Sequence, residues 1–466
     1  MTEDVPTGTR LNYLHSRNPV NSPPRKEKQP MRRSHSHTVH AVLAPVLLSA
    51  AACGGDGGSA ARGLDSPDVT ISPATDTLFA VGVLDGAEWE MFGRVADVAF
   101  DADGTLFILD SDAGHVVVID PAGAFVRTIA NKGEGPGELR FPASLIVFGN
   151  GRIGVRDMGN RGIALFDREG EFLEDVGIDP EGAVPSGRLR ALPDHSLIAP
   201  ARRMSFSPEG IMDREEGRPI TRFRLDGSTD PFHEAWAPPP RETRTDEAEA
   251  GNIRIQMEAG EAFPLPLALG VLSDGRVAIA DSVGYRIKLL DAAGGRLSTL
   301  ERPVPPVAVT PAIEAAERER RLASLESGGS GGGGGIMTLS ITAAAGSSGG
   351  GNPMDSEGMQ EALRRIREDQ IRDLRFPEEM PVITNLAVDW SDRIWVQRSA
   401  LPGETGTIDI LSADGRYFGS LPTDGLRIPR AFGPGGLLAY VERDDLDIQR
   451  VLVVRLMADE QLEGAR

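Results

Sequence analysis

The stretch "VADVAFDADGTLFILDSDAGHVVVIDPAGAFVRTI" (95–129) is followed by a second version of itself, "SLIVFGNGRIGVRDMGNRGIALFDREGEFLEDV" (144–176). Each contains four short apolar runs. A Gly-containing turn separates the first two, and the second run ends in Asp. Another Gly turn and an Asp-x-x-Gly turn follow. Asp110 and Asp157 are 47 positions apart, as are Asp120 and Asp167. A third version is "ALGVLSDGRVAIADSVGYRIKLLDAAGGRLSTL" (268–300). Apolar runs of this length, bounded by Asp-Gly and Asn-Gly, are strands joined by tight turns that need a residue with positive φ.

Counting only the first turn and the strand after it gives six copies: "DADGTLFILD" (101–110), "FGNGRIGVRD" (148–157), "LPDHSLIAPA" (192–201), "LSDGRVAIAD" (272–281), "DWSDRIWVQR" (389–398) and "FGPGGLLAYV" (432–441). A period near 45 residues with four strands per unit predicts an all-β, six-bladed β-propeller. One such sheet cannot bury both faces alone, whereas a closed ring can. The last unit runs out of chain after three strands, and an unassigned strand, "TLFAVGV" (77–83), precedes the first. That strand is expected to complete the last blade and close the ring. "GEGPGELRFP" (133–142) reads as the joint between blades 1 and 2. It has no following Gly-Lys-Ser/Thr and no helix to receive a phosphate.

Three stretches break the period: 200–217, 237–264 and 303–380. Second-to-third-strand loops and blade-to-blade loops emerge on one face of a propeller, so all three are expected to decorate the same face. Functional groups concentrate on such loops. The largest, between blades 4 and 5, reads as two helices (312–325 and 355–374) joined by a Gly/Ser tract. Its apolar segment Ile336–Ile341 could serve as a lid.

The remaining boundaries follow from composition. Residues 1–30 show no apolar periodicity and read as a non-native leader, with translation starting at Met31. Residues 31–53 hold Arg32 and Arg33, an apolar stretch Ala41–Ala52, and the chain's single cysteine, Cys53, after "LSAAA". This is the layout of a secretory signal. Residues 54–76 read as a flexible tether, 77–457 as the propeller and 458–466 as a tail. Net charge is −20 overall and −24 beyond residue 53, which argues against nucleic-acid binding. One cysteine excludes an internal disulfide.

Two resemblances add to this reading. "LSAAAC" resembles a bacterial lipoprotein signal, although Ala50 stands where Leu is usual. The resemblance implies lipidation at Cys53 and a place on the periplasmic side of the cell envelope, anchored to membrane. "GEGPGELRFP" followed by "VRDMGNRGIALFD", and "IADSVGYRIKLLD" in a later unit, resemble six-bladed propellers of the NHL-repeat and TolB-like kind. That fold hosts binding proteins and enzymes alike, so the resemblance speaks to architecture.

Candidate chemistry is sparse. Asp110, Asp157 and Asp281 recur at one blade position and are expected to cap backbone amides. His115 and His195 have no neighbouring nucleophile signature, so no catalytic residue is assigned. Arg156, Arg202, Arg203, Arg398 and Arg443 follow second strands. Guanidinium pairs bidentately with carboxylate or phosphate, so these five are the candidate site for an acidic ligand. The expected role is a ligand- or protein-binding module whose partner is an envelope protein or a small acidic molecule. The alternative is a metal-dependent hydrolase or lyase at the channel mouth. No cofactor is predicted, though the channel leaves room for a divalent cation.

Overall fold

A computed structural model describes residues 62–178, 183–206, 212–214, 217–238, 245–250, 253–258, 260–326 and 357–457. The expected leader and signal, Cys53, the Ile336–Ile341 segment and the expected tail from 458 lie outside the described residues. Six sheets of antiparallel strands form the blades. Blade 1 is Val95–Phe100, Leu106–Asp110, His115–Ile119 and Phe125–Ile129. Blade 2 is Pro142–Val147, Ile153–Asp157, Gly162–Phe166 and Phe172–Gly177. Blade 3 is Arg190–Ala191, Leu197–Phe206, Pro219–Phe223 and Thr229–Glu234. Blade 4 is Ala268–Val271, Val277–Ala280, Arg286–Leu290 and Arg296–Glu301. Blade 5 is Ile383–Val388, Arg393–Arg398, Thr407–Ser412 and Arg416–Pro422. Blade 6 is Ala431–Phe432, Leu437–Arg443 and Gln449–Leu456, completed by Thr75–Val81 from the start of the chain.

That completing strand pairs Thr75 with Leu456 and Val81 with Val451, which is the predicted closure. Successive side chains of a strand point to opposite faces, and here both faces are buried. Ile108 packs with Val81 and Val451 of blade 6, while its neighbours Phe107 and Leu109 pack with Ile153 and Phe166 of blade 2. Each pair of adjacent blades encloses one such core. The near-continuous apolar runs therefore arise because every blade is sandwiched. The first turns need positive φ, and Gly104, Gly151 and Gly275 supply it. In blades 3 and 5 the same conformation is adopted by His195 (φ 66) and Asp392 (φ 58).

The recurrent aspartates tie the joints. The Asp157 carboxylate accepts from the amides of Arg140 (2.6 Å) and Phe141 (2.8 Å) in the joint, and from Gly159 (2.8 Å) in its own turn. Asp110 does the same for Gly93 and Arg94, with Asp112 and Ala113. "GEGPGELRFP" is thus a strut whose Leu139 is fully buried between blades 1 and 2.

The expected tether 54–76 is corrected over its described part. Arg62 and Gly63 pair with Tyr417 and Arg416 on the outer strand of blade 5. Thr70 bridges to Ser420, and Ile71 enters the core between blades 5 and 6. An apolar residue at 71 and carbonyls that meet Arg302 dock this segment against the ring.

The insertions carry their own structure. In blade 3, Met212–Arg214 folds back on the extended second strand, Met204 pairing with Arg214. A hairpin, Thr245–Ala250 with Ile253–Glu258, fills much of the second insertion. The third holds α1 (Pro311–Glu326) and α2 (Glu357–Arg372), and its base is closed by Val307–Ala308 pairing with Glu379–Met380. Among the described residues no helix is long and apolar enough to cross a membrane.

Candidate functional site

The second and third insertions are joined to each other. Arg375 donates its amide to Gly260 (3.1 Å), and Ala262 donates to Arg375 (2.8 Å). Phe263 and Phe376 meet edge to face, with Arg318 of α1 over the Phe376 ring. Within α1, Glu317 is buried and bound by Arg320 and Arg321. Burial alone would raise its carboxyl, but these two guanidinium groups hold it below the ordinary value. The insertions therefore stand on the decorated face as one body over blades 3 to 5.

Beside this body is a cleft of about 490 Å³, lined by Trp236, Asp281, Arg286, Lys288, Arg296 and Glu301 among others. Asp281 is fully buried. Its Oδ2 accepts from the Trp236 amide (2.8 Å) and from Lys288 Nζ (2.6 Å), while among the described residues its Oδ1 accepts no hydrogen bond. Asp281 occupies the blade position of Asp157. The amide it holds lies 45 positions upstream rather than 16 or 17, because the second insertion loops out between them. Arg218 clamps the base of that loop through the carbonyls of Trp236, Leu265 and Pro266.

The five arginines expected to gather lie on four different blades. Arg398 is paired with Asp68 (2.6 Å) and lies 3.6 Å from Asp409. Arg443 pairs with Asp447 (2.8 Å) near the surface. Arg202 is exposed and has an interaction partner, and the side chain of Arg203 lies outside the described residues. Arg156 is half-buried, has no carboxylate partner among the described residues, and burial holds its guanidinium below the ordinary value.

The structure assembles a different set on the propeller axis. Asp97, on the inner strand of blade 1, is buried. It accepts from the amides of Val98 and Leu145 (both 3.0 Å). Arg188, from blade 3, reaches Asp97 at 2.8 Å and donates to the carbonyls of Val98 (2.7 Å) and Arg430 (2.5 Å). Arg430, from blade 6, reaches Asp97 at 3.1 Å and donates to Ala96 O at 2.6 Å. Blades 3 and 6 are opposite in the ring, so these two side chains span the central channel. Arg190 lies beside them. Sequence reasoning passed over this set, although "SGRLRAL" (186–192) does place two arginines where the other blades have apolar inner strands.

Two guanidinium groups pair with one carboxylate there and a third lies beside them, a net positive balance that suits an anion. Among the described residues no group of three or more His, Cys, Asp or Glu is placed to hold a metal ion.

Comparison with known proteins agrees with the ring. Residues 88–182 match the DUF5128 family model, described as a 6-bladed beta-propeller. No curated protein matches the chain. Similar solved structures include a Bacteroides fragilis chain titled "Putative exported protein". It is 13% identical at TM-score 0.43, over 83% of this chain and 95% of that one. A DUF4221 family member from Bacteroides vulgatus is 10% identical at TM-score 0.42, over 83% and 99%. The PQQ-bound aldose sugar dehydrogenase of Streptomyces coelicolor is 13% identical at TM-score 0.38, over 82% and 98%.

Proposed function

We propose that this six-bladed propeller, of the NHL-repeat or TolB-like kind, is a lipid-anchored protein of the periplasmic side of the envelope. It binds a protein or small-molecule partner at its decorated face, by recognition rather than catalysis. The observation that carries this reading is the junction of the second and third insertions beside a cleft. The half-exposed Trp236 lines that cleft together with the buried Asp281 and its partner Lys288. An aromatic ring next to a partly satisfied charged pair is the composition of a recognition surface. The anchor rests on Arg32 and Arg33, the apolar stretch after them, and Cys53 as the only cysteine.

Site-specific photo-crosslinking in cells tests the face. A crosslinking residue at Trp236 should yield a defined adduct that is missing when the probe sits at Ala122, in a turn on the opposite face. The same adducts from both positions, or none from position 236, would refute the reading. Mass spectrometry of the mature N-terminus tests the anchor, since a lipid-modified Cys53 is expected as the first residue.

A further inference from the structure

Arg188 and Arg430 share Asp97, and each also donates to backbone carbonyls. Arg190 has no such outlet. Among the described residues its side chain makes no hydrogen bond or ion pair. A guanidinium does not shed its proton to escape burial, and an unpaired buried charge is costly. Burial, and after it the neighbouring charge of Arg188, pushes its pKa down to about 9, against the pull of Asp97. Arg190 is surrounded by protein yet keeps some accessible surface, as a group lining an internal channel does. At the same register on the other inner strands stand Ala99, Gly270, Ala387 and Ala431, with Ile146 the one larger residue. Arg190 is thus the one charged side chain at that level of the inner strands.

We propose that the central channel binds a small oxyanion, a carboxylate or phosphate group, held by the fork of Arg190 against the Arg188–Asp97–Arg430 crossing. Inner strands run from the decorated face toward the first turns, so Arg190 lies on the far side of Arg188 from the insertions. The anion enters from the undecorated face, and the site is independent of the recognition surface around Trp236. Bidentate pairing would satisfy the donors that the protein leaves open.

Calorimetric titration of the purified protein with inorganic phosphate, and separately with succinate, at constant ionic strength tests this. Saturable one-site binding of either probe is expected. Phosphate alone would mark a phosphate-bearing ligand, and succinate alone a carboxylate. Arg190→Gln should weaken binding at least ~10-fold, a bidentate charged pair being worth that much, and Arg190→Lys should fall between. Without anion, Arg190→Gln should melt no lower than the parent, because it removes an uncompensated charge. No saturable binding of either probe, an unchanged dissociation constant in Arg190→Gln, or a lower melting temperature for that variant without anion would overturn the proposal.

Discussion

Two clusters of arginine and aspartate lie inside this ring, and their charge balance differs. At the seam of blades 4 and 5, Arg302 and Arg398 meet Asp409 and Asp68, two cations for two anions. The side chains of Arg302 and Asp409 are almost wholly buried and 2.9 Å apart. Arg302 also lies over the Tyr417 ring at 3.8 Å and donates to the carbonyls of Leu64 and Ser66. Burial works against its charge, but Asp409, Tyr417 and Tyr285 together outweigh it and the guanidinium is held above its ordinary value. On the axis, burial wins for Arg188 despite Asp97, and its value falls. A balanced cluster fastens parts of the chain together. An unbalanced one, open to a channel, is left with capacity for something else.

The largest effect should come from unbalancing the seam. Asp409→Ala leaves the buried Arg302 with the half-exposed Asp68 as its counter-charge and should cost about 3–5 kcal/mol, the usual penalty for breaking a buried pair from one side. Urea unfolding measures it, and a loss under about 1 kcal/mol would show that the seam is not the fastener described. Asp97→Ala should cost less, about 2–3 kcal/mol, because channel water can take up part of the exposed charge. Phosphate should restore part of that loss by binding the folded state. It should do nothing for Asp409→Ala. Equal response of the two variants to phosphate would erase the distinction between them.

The sequence makes the ring legible and leaves both clusters hidden. The ring, its closure and the amide-capping role of Asp110 and Asp157 follow from Gly turns and apolar runs, because those are local demands of tight hairpins between buried blades. The partner of Arg398 is not local: Asp68 lies 330 positions away, in a stretch whose composition suggests a tether. The axis is hidden for another reason. The inner strand of blade 3 shortens to Arg190–Ala191, too little to show periodicity, and only closure of the ring brings Arg188 to blades 1 and 6. Distance along the chain, rather than weak chemistry, conceals both clusters.

The smallest effect sharpens the comparison through pH. Burial alone would raise the Asp68 carboxyl, but its hydrogen bond and charge contact with Arg398, and then Arg302, hold it below the ordinary 3.8. A carboxyl lowered by folding stabilises the native state above its unfolded value. That contribution disappears as pH falls through the folded value. Asp68 is about half exposed, its side chain keeping 48% of its surface. Solvent screening then limits the contribution to about 1 kcal/mol or less. The parent should therefore melt slightly above Asp68→Asn at neutral pH, and the gap should close below pH ~4 and narrow in high salt. A gap that persists unchanged at low pH would mean that Asp68 acts through the geometry of its hydrogen bonds, and that charge balance is not what holds the docked N-terminal segment at the seam.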